Sequence, residues 1–75
     1  MSVPIKNIAG PHIKRLRLQK GVTQDQLSAK LARQSVQIDR AGISKIETGV
    51  RCVYDFELKA LASALSATPA QLLGE

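Results

Sequence analysis

Two side chains in this 75-residue sequence have the chemistry of a nucleophile or a soft metal ligand: His12, the only histidine, and Cys52, the only cysteine. A Cys–His couple needs thiol and imidazole within hydrogen-bond reach, and nothing in the sequence brings these two together. Two such donors also fall short of the four that close a structural zinc site. Neither a catalytic residue nor a bound metal is expected, and no cofactor. A different chemistry is offered by the run Arg40-Ala41-Gly42-Ile43-Ser44-Lys45-Ile46-Glu47-Thr48. With Ile43 and Ile46 turned inward at helical spacing, Arg40, Ala41, Ser44 and Lys45 share the opposite face. Long cationic donors, a hydroxyl and a methyl, with no carboxylate among them, suit the edges of nucleic-acid bases.

The charge distribution points the same way. Of eleven Lys and Arg, ten lie in residues 1 to 51, against Asp25, Asp39 and Glu47. Residues 52 to 75 carry Lys59 alone against Asp55, Glu57 and Glu75. One end is electropositive and the other mildly acidic, which favours a polyanion facing the first two-thirds of the chain. A basic but otherwise ordinary surface accounts for the charge alone equally well, so the weight falls on the motif. A lone cysteine provides no disulfide framework within the chain and fits a reducing cytoplasm. The stretch Met1 to Ile13 is broken by Pro4, Lys6, Asn7, Gly10 and Pro11, so neither a signal peptide nor a membrane span is read there.

These side chains need elements to hold them, and turn signals divide the chain into five short helices. The first begins near Pro11, a residue suited to the first helical position, and ends before Gly21 as a left-handed cap. The second opens on Thr23-Gln24-Asp25-Gln26, a capping box with Val22 and Leu27 at staple positions. It buries Leu27, Leu31 and either Ala32 or the stem of Lys30, and ends between Ala32 and Gln34. The third follows Asp39 as N-cap and stops at Gly49. The fourth starts near Tyr54 or Asp55, places Asp55 and Glu57 where the helix dipole favours anions, and runs to about Leu65. The fifth opens on the capping box Thr68-Pro69-Ala70-Gln71. Leu18 falls off the apolar stripe, either at an edge of the bundle or against a partner. Lys14, Arg15 and Lys20 read as the wet face of the first helix, Lys14 with a weak claim to a DNA backbone contact. No stretch alternates as a strand would. The expected fold is a compact all-α five-helix bundle over residues 10–75, a single domain preceded by an arm of residues 1–9 that is too irregular to assign.

Thr23 to Gly49, two short helices joined by a turn, has the form of a unit whose first helix crosses a DNA backbone while the second enters the major groove. Here the chain resembles the lambda repressor and Cro family, also called the xenobiotic-response-element regulators. The resemblance runs from about Gly10 to Leu73. It is carried by Ile13, Leu16 and Arg17; Gly21 ahead of Thr23-Gln24; Leu27 and Leu31; Ile43-Ser44-Lys45-Ile46-Glu47 with Gly49; and Leu61-Ala62, Leu65 and Leu72-Leu73. It implies that Arg40, Ala41 and Lys45 touch bases and that Ser44 meets a base or a phosphate. It implies that Gln24, helped by Thr23, and Arg51 meet the DNA backbone. It also implies a structural ion pair between Arg17 and Glu47. Between Leu31 and the third helix the chain has about five residues more than the family's tight turn. The lengthened turn either prolongs the second helix or forms a loop with Val36 tucked against the body. Arg33 and Gln37 in it read as solvated rather than as phosphate contacts.

Two functions compete on these residues. One is a sequence-specific regulator of transcription, a repressor in the first instance. It would bind a palindromic operator in double-stranded DNA as a homodimer joined through helices 4 and 5 and the C-terminal end, where Leu72 and Leu73 are either interface or core. The other is an antitoxin-like or antagonist protein-interaction module that also binds DNA. An enzyme is not expected.

Overall fold

Side chains that close the first turn mark where most of the helices start. The computed structural model describes residues 8–74. Among them are five helices, α1 (Gly10–Gln19), α2 (Gln24–Ala32), α3 (Arg40–Glu47), α4 (Asp55–Ala64) and α5 (Pro69–Leu72), and no strand. The Thr23 and Thr68 boxes both form, each threonine hydroxyl accepting from the backbone N–H three residues on while Gln26 or Gln71 returns the bond. Asp39 caps α3 by accepting from the Gly42 N–H at 2.7 Å. Residues 1 to 7 of the expected arm lie outside the described residues; of the remainder, Ile8 is exposed and Ala9 is buried.

The helices also end alike. In the Schellman arrangement, a residue in the left-handed region lets its own amide and the following one return to carbonyls of the last turn. Gly21 and Gly49 do this after α1 and α3, with Val22 N–H bonded to Arg17 O and Val50 N–H to Lys45 O. Ser35 (φ 63°) and Ser66 (φ 53°) take the same position after α2 and α4. There Val36 N–H reaches Leu31 O at 3.0 Å, and Ala67 N–H reaches Ala62 O at 2.8 Å.

That motif explains the lengthened turn. α2 is not prolonged: the chain leaves it through Ser35, buries Val36 and Ile38, and arrives extended at Asp39. Two side chains fasten the loop, Ser28 Oγ donating to Ile38 O at 2.7 Å and Gln34 Nε2 to Ala60 O at 3.0 Å. The loop that leads from α2 to α3 is thus fitted against α2 and α4.

The core is aliphatic, as the composition requires. Ile13, Leu27, Leu31, Ile43, Ile46, Leu61, Leu65 and Leu72 are its largest fully buried side chains. α1 packs on α3 and α5, α2 on α3 and α4, and α4 on α5. Three positions at which the sequence left alternatives are placed by the packing. Beside the buried Leu27 and Leu31 of the α2 stripe, Ala32 is exposed while Lys30 is half-buried. Of interface and core, Leu72 takes the core: it is fully buried and is the residue that anchors the single turn of α5. Leu18 stands at the surface. Among the described residues no helix is long and apolar enough to cross a membrane.

Candidate nucleic-acid interface

Burying Ile43, Ile46 and Glu47 leaves one continuous arc of α3 outside the body. Arg40, Ala41, Ser44, Lys45 and Thr48 are all exposed on it. Arg40, Ser44 and Thr48 border an open groove whose other wall is Lys14 on α1 and Thr23, Gln24 and Asp25 at the start of α2. Helix-end amides and a cationic side chain therefore flank the exposed face of α3, the combination that holds phosphate beside a base-reading element. The Thr48 hydroxyl is turned back onto the α3 carbonyls of Ser44 and Lys45, so it is already a committed donor.

The pose of α3 is set by one carboxylate. Glu47 accepts from Arg17 Nε at 2.6 Å and Nη2 at 3.1 Å, and the two side chains are 3% and 9% exposed. Arg17 Nη1 donates in addition to Val22 O at 2.9 Å. A single guanidinium thereby ties α1, the α1–α2 turn and α3 together, using the planar fork that lysine lacks. Gln24 completes the cluster, its Nε2 donating to Glu47 Oε1 at 3.1 Å. Gln24 is half-buried at the edge of the groove, with one amide proton left to donate to a phosphate.

A helix-turn-helix family model matches residues 13–72 of this chain. The chain belongs to the lambda repressor/Cro-like helix-turn-helix family. It is similar to a solved structure, the restriction-modification controller protein C.AhdI from Aeromonas hydrophila, with 30% sequence identity and a TM-score of 0.75. The similarity covers 85% of this chain and 86% of that one. No curated protein matches the chain. The family is one of DNA-binding transcriptional regulators, so α2 and α3 form a helix-turn-helix in function as well as in outline.

Against the family pattern, two expected contacts look different in this helix-turn-helix. Arg40 lies 3.9 Å from Asp25 of α2, with both side chains more than two-thirds exposed. The face of α3 carries no acid of its own, but its neighbour brings one alongside. A contact this open and this long is easily exchanged for a base or a phosphate. Arg51, expected at a phosphate, is bound within the chain to Glu57 by two bonds of 3.0 Å, and its Nη1 also donates to Cys52 O at 3.0 Å.

Glu57 and Gly42 are the residues that sequence reasoning missed. Glu57 is buried, and besides Arg51 it accepts from the Tyr54 N–H at the start of α4. The hydrogen bond from Arg51 holds its carboxyl below the usual glutamate range in spite of burial, and Tyr54 adds to the effect. An anion in a first helical turn has a sufficient reason in the dipole, so its second role left no separate signal. At Gly42 a Cβ would come within 2.9 Å of Ile38 Cγ2 and 3.1 Å of Asp39 Oδ1. The absence of a side chain lets the first turn of α3 sit against the fitted loop.

Proposed function

We propose that the chain is a sequence-specific regulator of transcription that reads a two-fold symmetric operator as a homodimer. The observation that carries the proposal is the exposed arc Arg40, Ala41, Ser44 and Lys45, on a helix held from behind by the Arg17–Glu47 pair. In this reading those four side chains face base edges, while Thr23, Gln24 and the α2 end amides hold a phosphate. The likeness to a restriction-modification controller supports control of a restriction-modification gene set, with repression as one direction of that control. Self-association would use the α4–α5 end. Tyr54 and Phe56 stack there at 6.1 Å between ring centroids and are 62% and 60% exposed, and Leu73 is partly exposed. Paired large apolar groups left in water on a small domain favour a partner surface.

Sequencing protein-bound DNA selected from a random pool tests the proposal. A two-fold symmetric consensus with half-sites roughly 34–36 Å apart is expected. A monomer that binds random DNA and a palindrome equally would overturn it. On the selected site, Arg40→Ala and Lys45→Ala should each cost ~1–3 kcal/mol of discrimination at one base pair per half-site. Unchanged base preference in both variants would remove these residues from the reading surface.

A further inference from the structure

Two clefts flank α3, and they hold different cations. The first, bordered by Arg40, Ser44 and Thr48, faces the reading surface described above. The second is bordered by Asp39 and Gly42 of α3, by Gln37 and Ile38 of the fitted loop, by Ser28 and by Arg51. Arg51 follows the reading helix closely and still has 31% of its side chain exposed. By position alone it would add one more charge to the DNA-binding surface. Yet its fork is filled by both oxygens of Glu57, a carboxylate only 6% exposed that also accepts from the Tyr54 N–H. Arg51 Nη1 further donates to Cys52 O, inside the α3–α4 connection.

We infer that Glu57 is a specificity-determining residue: it withholds Arg51 from the DNA phosphates and fastens it across the α3–α4 connection. The inference rests on the DNA-binding reading and concerns how much of that binding is indifferent to sequence. Phosphate contacts raise affinity for every duplex alike, whereas base contacts separate one sequence from another. A cation beside the reading helix that is bound to its own buried carboxylate adds nothing to the first kind of contact. The ratio of specific to non-specific binding is thereby larger than the count of basic side chains implies. Arg40 shows the opposite arrangement, since its acidic neighbour Asp25 is solvent-exposed and 3.9 Å away.

The test measures binding of a random-sequence duplex across a salt series by fluorescence anisotropy. Four chains are compared: the unmodified protein, Glu57→Gln, Glu57→Gln with Arg51→Ala, and Asp55→Asn. Asp55 is exposed and two residues from Glu57, so its replacement changes net charge equally without freeing Arg51. Glu57→Gln is expected to bind the random duplex more tightly, with a log–log salt slope steeper by about 0.9, the increment for one added phosphate contact. The double variant should return to the slope of the unmodified chain, and Asp55→Asn should keep that slope throughout. A Glu57→Gln slope no steeper than that of Asp55→Asn, or a double variant that stays steep, would overturn the inference. If the unmodified chain bound no duplex at all, the DNA-binding reading would fail first, which is a distinguishable result. A reading independent of any folding defect comes from the unmodified protein by NMR. The Arg51 Nε–H resonance should stay in place as random duplex is added, and a saturating shift would show that Arg51 already meets phosphate.

Discussion

At the scale of single residues, the molecule depends most on a carboxylate that accepts from three donors. Glu47→Gln would leave the Arg17 guanidinium in a nearly closed site with a neutral amide opposite it. Breaking a buried pair from one side costs ~3–5 kcal/mol, a large share of the ~5–15 kcal/mol that holds a domain folded. The melting temperature should fall by about 12 °C or more, at ~4–8 °C per kcal/mol for a domain of this size; an unaltered transition would refute the role. Glu57 leads to a prediction about pH. Its folded-state pKa is lowered, chiefly by Arg51, so the unfolded chain takes up its proton first as pH falls. The stability it contributes is complete above the ordinary glutamate value of about 4.3. That contribution declines below this value and is gone once pH has passed the lower folded-state pKa. The melting-temperature gap between the unmodified chain and Glu57→Gln should therefore be widest near neutrality and narrow only in acid. A gap that stays constant from pH 7 into strong acid would mean the carboxylate's charge is not what matters. Arg17 and Glu47 were legible because the family resemblance names both positions. The Arg51–Glu57 pair was not, because each residue already had a sufficient reason to be where it is.

At the scale of elements, starts were easier to read than stops. Thr23, Asp39 and Thr68 announce α2, α3 and α5 through side chains whose bonding partners lie three residues on, so local sequence contains the whole device. The end of α2 has no such signal. Its left-handed position is filled by serine, and the sequence around it reads as either more helix or loop. Only the seating of Val36 and Ile38 in the core, a long-range fact, decides between the two. A serine there adopts a conformation that costs an L-residue roughly 1–2 kcal/mol, partly offset because glycine loses more freedom on folding. Ser35→Gly should accordingly raise stability by up to about 1 kcal/mol, and Ser35→Val should lower it, since a β-branched residue is least at ease at positive φ. Thermal unfolding of the two variants checks the pair. A glycine variant less stable than the parent would show that the serine hydroxyl matters more than the backbone. Because the loop sets where Asp39 begins α3, Ser35→Gly should leave the selected DNA sequence unchanged.

At the scale of the whole molecule, the question is how so small a domain obtains enough contact with DNA to discriminate. Five helices were legible in outline, and so was the exposed arc of α3, because both follow from periodicity and caps. Which apolar groups belong to the core was not. Leu72 and Leu73 are neighbours of identical type, yet the first is fully buried and the second partly exposed, a distinction made by the angle at which the single turn of α5 meets α1 and α4. With Leu72 spent in the core, the large apolar groups that α4, its cap and the end of α5 leave exposed are the Tyr54–Phe56 stack and Leu73. Replacing both aromatic residues, Tyr54→Ser with Phe56→Ser, removes apolar area that water already reaches. The helical content of the isolated chain should be retained, and the Tyr54 N–H remains to meet Glu57. If the stack joins two copies, sedimentation equilibrium should show a shift from dimer toward monomer. Affinity for a symmetric operator should then fall far more than affinity for a single half-site, because a linked second contact acts at a high effective concentration and is lost entirely when the link is broken. Equal losses on the two DNAs, with the dimer intact, would mean that the copies meet elsewhere and that the stacked rings serve another surface.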